Sequence, residues 1–110
     1  MIQDTLAKIQ ERLAQGNNLD EHTRTELRQL LQTLQEEISQ LSKTHAEQAQ
    51  NIAGFAGAST QEAIREQKNP ELLNTSLEGL AASVEGFETT HPQLVQVVNR
   101  ICTTLANLGI

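Results

Sequence analysis

The sequence predicts an all-α protein, an elongated and coiled-coil-like helical bundle of three to four helices with one long central helix. Its apolar residues recur at alternating steps of four and three, and this mean step of 3.5 keeps one narrow stripe facing a partner helix. Aromatic side chains are limited to two phenylalanines. A core of Leu, Ile, Val and Ala favours thin helix–helix contacts. The four apolar runs are Ile2, Leu6, Ile9 and Leu13; Leu27, Leu31, Leu34, Ile38 and Leu41; Leu73, Leu77, Leu80, Val84 and Phe87; and Leu94, Val98, Ile101, Leu105 and Leu108.

The first helix is predicted over residues 4–15, and the segment Gly16-Asn17-Asn18 is a good stop because Gly and Asn tolerate a left-handed cap. Asp20 is placed to cap the second helix with its carboxylate. Leu19 precedes that cap and can fold back on the new helix as an apolar staple.

The second helix is predicted over residues 20–68, a stretch without proline. At about 1.5 Å per residue it would be on the order of 70 Å long. Gly54 and Gly57 weaken its middle, and the capping-box spacing that begins at Ser59 offers an alternative in which a fresh helix starts there. We favour one continuous helix, because Ile52 and Phe55 continue the four-and-three spacing of the leucines before them.

Two further helices are predicted over residues 70–88 and 91–108. Asn69 has the side chain of a helix cap, and Pro70 fits the first helical position, where no backbone donor is needed. The residue before Pro92 is disfavoured in helical geometry, which predicts a second break.

A kinked helix running through Pro92 is the alternative, since Phe87, His91 and Leu94 remain four and three residues apart. The last helix is predicted to end at residue 107 or 108, with Gly109 as its cap.

Composition bounds the class of protein. The 110 residues suit one helical domain spanning 1–110, and the formal net charge of −6 disfavours binding to nucleic acid or to anionic lipid. No stretch approaches the roughly 20 apolar residues of a membrane span, and the N-terminal residues lack the pattern of a signal peptide. The single Cys102 has no internal disulfide partner. We expect a cytoplasmic protein.

A narrow apolar stripe gives only a thin helix–helix contact, which predicts that the protein self-associates, most simply as a homodimer. The stripe of the long second helix extends beyond what a first helix of about twelve residues covers, so its second half should meet another subunit. A polar residue at a seam position, here His45, typically fixes register. The predicted interface residues are Leu34, Ile38, Leu41, His45, Ile52 and Phe55.

Glu88 and His91 form the one pair with the spacing of a metal ligand motif. A Glu-x-x-His pair places a carboxylate and an imidazole on one helix face, and di-iron bundles use two such pairs with two more carboxylates. A symmetric dimer would supply both pairs. Against this, the pair lies at a predicted helix end, where both residues more simply fix a turn.

No nucleophilic side chain lies in a recognisable catalytic motif, and the glycines do not have the spacing of a phosphate-binding loop. The sequence therefore predicts no catalytic activity and no cofactor. It predicts a protein of self-association or protein interaction, with a metal-binding bundle on Glu88 and His91 as the alternative.

The two ends of the chain resemble a small bacterial family, the domain of unknown function number four-four-zero-four. The resemblance rests on Phe87-Glu88-Thr89-Thr90-His91-Pro92-Gln93-Leu94 and on a last helix that stops at Gly109-Ile110. Leu19-Asp20-Glu21, followed by a leucine-rich helix to Leu41, is similar in a less specific way. The resemblance covers about half of the chain. It implies a small all-helical bacterial protein and brings no activity with it.

Overall fold

Five α-helices form the protein in the computed structural model, which describes residues 2–15 and 19–108. The all-α prediction is confirmed, although the described residues form five helices rather than three to four. The helices are α1 (Ile2–Gln15), α2 (Glu21–Leu41), α3 (Ala46–Ala63), α4 (Pro70–Ser83) and α5 (Pro92–Leu108).

The predicted long helix over residues 20–68 is wrong, because the chain turns back at residues 42–45 between α2 and α3. The bundle measures 37 × 24 × 22 Å, so a helix of about 70 Å has no place in it. The spacing of apolar residues by four and three continues through the turn because α2 and α3 bury their apolar faces in the same core. Folding back covers the second half of that stripe within the same chain, which a straight helix would leave exposed.

Hydroxyl side chains help to end α2 at this turn. The Ser42 hydroxyl donates to the Ser39 carbonyl at 2.7 Å, and the Thr44 hydroxyl lies 3.4 Å from the Leu41 carbonyl. The backbone N–H of His45 also donates to the Leu41 carbonyl, at 2.8 Å. Carbonyls that have no helical partner at a C-terminus are thereby satisfied.

Helix α3 runs without interruption through Gly54 and Ser59, as favoured from the sequence. Ser59 and Thr60 are buried in the interior of the helix rather than starting a new one. The Thr60 hydroxyl donates to the Ala56 carbonyl at 2.8 Å, so this side chain is satisfied within its own helix. The helix ends at Ala63, whose carbonyl accepts from the Lys68 ammonium group.

Both predicted helix caps are present. The Asp20 carboxylate accepts from the backbone N–H of Thr23 at 2.7 Å, and the Asn69 side chain accepts from that of Leu72 at 3.2 Å. Leu19 is buried next to the first of these caps. The predicted stop at 16–18 and the predicted cap at Gly109 lie outside the described residues.

Helix α4 ends at Ser83 rather than at residue 88, and Gly86 is the reason. Gly86 has a φ of +95°, a conformation that glycine adopts at little cost and that a continuing helix does not allow. Residues 84–91 form the connection to α5, so the alternative of a kinked helix through Pro92 is also wrong.

Helix α3 is the centre of the bundle, because among the described helices it is the one that contacts all four others, most extensively α4. Small side chains on its buried faces permit this crowding, since they let neighbouring backbones approach closely. The buried small residues of α3 are Ala49, Ala53, Ala56, Ser59, Thr60 and Ala63.

Larger aliphatic side chains complete the core, most of them from the other helices and one, Ile52, from α3 itself. The fully buried ones, which form one continuous core, are Leu13, Leu27, Leu31, Leu34, Ile38, Leu41, Ile52, Leu80, Leu94, Ile101 and Leu105.

We expect Ala56→Leu to lower the free energy of unfolding by about 1–3 kcal/mol, because Ala56 is fully buried on the central helix and extra methylene groups force strain. Urea denaturation measures the loss. Ala81→Leu adds the same atoms at an exposed position of α4 and should change stability little. An equal effect of the two substitutions would contradict close packing around α3.

The Asp20 cap should make stability depend on acid pH. The bonds from Thr23 to its carboxylate, with a smaller effect of His22, lower the pKa of Asp20 below its ordinary value of 3.8. A lowered pKa in the folded state contributes stability above the ordinary value, and this is lost as pH falls through the folded value. We expect Asp20→Asn, which keeps a capping group without charge, to be less stable than the wild type at neutral pH.

Urea denaturation of both proteins at a series of pH values checks this expectation. The difference between them should shrink as pH falls below 3.8. A difference that stays constant across the series would show that the Asp20 charge does not contribute.

Candidate functional site

Four of the six predicted interface residues lie inside the protein's own core. Leu34, Ile38, Leu41 and Ile52 have no exposed surface. They need no second chain to be buried, and a second chain cannot contact them without opening this fold. His45 is half-buried and Phe55 is exposed. Any interface built from the predicted set therefore rests on the outer side of α3.

Phe55 lies across Gly79, where α3 and α4 are in contact. A Cβ atom at Gly79 would overlap the Phe55 ring, so the missing side chain makes room for the ring. The ring nevertheless remains 40% exposed. One side of Phe55 is thus supported by the α4 backbone, and the other side is free to contact a partner.

Leu72 is the second large apolar side chain on this surface, 48% exposed. Residues 72, 76 and 79 are spaced by four and three, so they lie on one face of α4. Since Gly79 contacts Phe55, Leu72 lies on the same side of the α3–α4 pair, about 10 Å away along the helix. We call the surface formed by Phe55, Leu72, Ser76 and Gly79 the α3–α4 face.

A groove of about 300 Å³ lies between α1 and α3. Small residues of α3 form one wall of the groove, and among the described side chains Lys8 contributes a charge to its lining. At Gly54 an added Cβ would meet no atom within 4 Å, so the outer surface of α3 is open there. The lining residues are Lys8, Ile9, Gly54, Gly57, Ala58, Thr60, Gln61 and Ile64.

Two histidines and a phenylalanine meet at one end of the bundle. Phe87 lies with its ring centroid 5.4 Å from that of His45 and 5.5 Å from that of His91, and both pairs are nearly perpendicular. The two imidazole centroids are 6.3 Å apart. Contacts of this edge-to-face kind are favourable between aromatic rings. We call this group the His45–Phe87–His91 cluster.

The same dipeptide, Thr-His, supplies both imidazoles of the cluster. The Thr44 hydroxyl lies 2.7 Å from Nδ1 of His45, and the Thr90 hydroxyl lies 2.9 Å from Nδ1 of His91. Both histidines immediately precede a helix, and their carbonyls accept the first bonds of α3 and α5, from Ala49 at 2.9 Å and Val95 at 3.3 Å. The cluster therefore joins the α2–α3 connection to the α4–α5 connection.

Glu88 and His91 are not arranged as helical metal ligands, because both lie in the connection between α4 and α5. The Glu88 carboxylate accepts from the backbone N–H of Gly86 at 2.8 Å and thereby fixes the turn. No group of three or more His, Cys, Asp and Glu side chains that could hold a metal ion occurs in residues 2–15 and 19–108.

Cys102 is half-buried on α5, and its thiol lies 3.9 Å from the Leu77 carbonyl of α4. Burial raises the pKa of the Cys102 thiol above its ordinary value of 9.0. A thiol that resists ionisation is a poor nucleophile.

The comparison with protein families decides where the chain belongs. The family model described as Domain of unknown function (DUF4404) matches residues 27–110, more than half of the sequence. The chain belongs to this family. The family predicted from the sequence is thereby confirmed, and α2 is matched from Leu27, one of its core residues, onwards. No curated protein and no solved structure matches this DUF4404 chain.

The match includes every residue of the His45–Phe87–His91 cluster and of the α3–α4 face, whereas α1 lies outside it. Among the described residues of the DUF4404 chain, no helix is both long and apolar enough to cross a membrane.

Sequence reasoning identified Phe55 but missed its contact with Gly79 and the exposed Leu72, and it missed the pairing of His45 with His91. Proximity of residues 45 and 91 depends on how the helices fold back. The repeated Thr-His dipeptide before two helices was the available signal.

We expect Cys102 to react with iodoacetamide at neutral pH on the order of tenfold more slowly in the native protein than in the urea-unfolded chain. Both the thiolate fraction and access to the sulfur are lower in the fold. Mass spectrometry of timed samples measures the reaction, with Cys102→Ser as the blank. Equal rates in the native and unfolded proteins would contradict the burial of this thiol.

Proposed function

We propose that this DUF4404 protein is a non-catalytic helical protein that binds other protein chains, beginning with a second copy of itself. The observation that carries the proposal is the α3–α4 face, where Phe55 and Leu72 are both exposed on one side of a helix pair. Large apolar side chains grouped on one surface are typical of protein-binding sites, whereas single ones are common on any protein.

The shape of Phe55 supports a role as an anchor residue. Its ring is supported by the α4 backbone at Gly79, so little conformational freedom is lost when a partner covers the exposed side. Aromatic side chains of this kind contribute a large share of binding energy at interfaces. The outer surface of α3 next to Phe55 is open at Gly54, which would let a partner helix approach closely.

The chemistry of the described side chains supports a binding role over a catalytic one. Burial raises the pKa of the Cys102 thiol, and the Glu88 carboxylate accepts a hydrogen bond within a turn. We also propose that the protein acts in the bacterial cytoplasm, in keeping with a single half-buried cysteine and an acidic composition.

Sedimentation of the wild type and of Phe55→Glu across a concentration series tests the proposal. We expect the wild-type mass to rise from that of one chain to that of two, and the Phe55→Glu mass to stay at one chain because the substitution places like charges in the contact. Circular dichroism should show unchanged helicity, since Phe55 is not part of the buried core.

The matched control is Gln96→Glu, which adds the same charge at an exposed position of α5. This variant should associate as the wild type does. A wild type that remains a single chain at every concentration would refute self-association. Unchanged association of Phe55→Glu would place the interface elsewhere than the α3–α4 face.

A further inference from the structure

We propose that the α3–α4 face binds a cationic amphipathic helix of another protein, whose apolar side chains cover Phe55 and Leu72 and whose lysines or arginines pair with the carboxylates beside them. The inference rests on the same face as the proposed function, but it does not require self-association. Its basis is the distribution of charge around the two exposed apolar side chains.

Two carboxylates lie along α4 next to the face. Glu71 and Glu78 immediately precede Leu72 and Gly79 in the sequence, and both glutamates are exposed. Residues seven apart lie on one side of a helix, separated by about 10 Å along its axis. The carboxylates therefore repeat at the same interval as the two residues beside them. We call Glu71 and Glu78 the acidic stripe.

The acidic stripe has no cation of its own in the described part of the chain. No ion pair joins it to a described lysine or arginine, and residues 69–99 include neither residue type. The two cations of the connection before α4 bond elsewhere, because Arg65 pairs with Glu62 at 3.0 Å and Lys68 donates to a backbone carbonyl of α3. The negative potential of the stripe is thus available to attract a cationic partner.

The opposite border of the face, on α3, is uncharged. Residues 48–61 include no charged side chain, and Asn51 and Ala58, about one turn before and after Phe55, are exposed. A partner helix therefore meets charge along one edge only. The complementary helix has apolar residues along its centre, lysine or arginine on the edge that faces α4, and uncharged residues on the other edge.

The spacing of the face fits a helix that lies along α4. The Phe55 ring lies on Gly79, which is seven residues from Leu72, so the two apolar side chains are about 10 Å apart along α4. A helix with a seven-residue repeat presents apolar side chains, and the charges that flank them, at this same interval. The apolar contacts then supply most of the affinity, and the flanking charges select the partner.

A second copy of this chain is less complementary to the face than a cationic helix. Contact between two α3–α4 faces brings the acidic stripes of both chains to one interface, where like charges oppose association. Salt screens repulsion and attraction alike. Added salt should therefore strengthen self-association and weaken the binding of a cationic helix, so the sign of the salt dependence separates the two occupants.

Fluorescence anisotropy of the full chain with labelled synthetic peptides tests the inference. The probe is an amphipathic peptide of about three heptads, with leucines along its apolar stripe and lysines beside them. One reference peptide has glutamate in place of each lysine, and the other has the composition of the probe in scrambled order. We expect the probe to bind on the order of tenfold more tightly than either reference, and to lose on the order of tenfold in affinity between about 0.05 M and about 0.5 M salt.

Variants of the full chain locate the binding site of the probe. Glu71→Gln/Glu78→Gln should weaken binding about three- to tenfold, because two exposed ion pairs are lost. Leu72→Ala should also weaken it several-fold on the order expected for an interface contact. The matched control is Glu11→Gln/Glu36→Gln, which removes the same charge from exposed positions on α1 and α2, described helices that do not contact α4. This control should bind the probe as the wild type does.

Equal losses in the two double variants would show attraction to net charge alone and overturn the inference, as would equal binding of the lysine and glutamate peptides. Sedimentation without peptide measures self-association separately. A wild type that binds the probe at this face but remains a single chain would support the cationic helix and refute the pairing of two copies. A wild type that forms pairs but does not bind the probe would overturn the cationic helix and leave the proposed function in place.

Discussion

The close approach of neighbouring backbones to α3 is the constraint on which the rest of the fold depends. A helix surrounded by four others must present small side chains toward its neighbours, and Ala49, Ala53, Ala56 and Ala63 do so. Apart from Ile52 on α3, the bulky buried residues then come from the surrounding helices. Phe55 fits the same rule from the other side, because its ring is accommodated where α4 carries Gly79 in place of a larger residue. The exposed apolar surface of the protein is thus a consequence of how its centre is packed.

Because the chain turns back at residues 42–45, the apolar stripe that was predicted to lie between two subunits is buried within one chain. A straight helix would have offered Ile52 to a second subunit, whereas the folded-back helix buries Ile52 completely within its own chain. The stripe therefore stabilises a bundle first. The large apolar side chains left exposed are those of the α3–α4 face, a smaller surface formed by residues that lie beside the stripe.

Polar side chains stabilise the connections between the helices, among them Glu88, which was a candidate metal ligand from the sequence. Glu88 fixes the turn at Gly86, and the Thr44 hydroxyl contacts both the Leu41 carbonyl and the His45 ring. These bonds satisfy backbone groups that helix ends leave without partners. His45 and His91 meet because each immediately precedes a helix, and these two helices begin at the same end of the bundle.

The sequence by itself determined the helical class, the caps at Asp20 and Asn69, and membership of the DUF4404 family, because periodicity, capping chemistry and family pattern are local properties. It did not determine where the long stripe folds back. The free energy of burying Ile52 against other helices exceeds the preference of residues 42–45 for a continued helix, and that balance involves distant residues. Tertiary structure alone decided that Phe55 lies on Gly79 and that His45 meets His91, because a heptad pattern specifies which face is apolar and not which helix covers it.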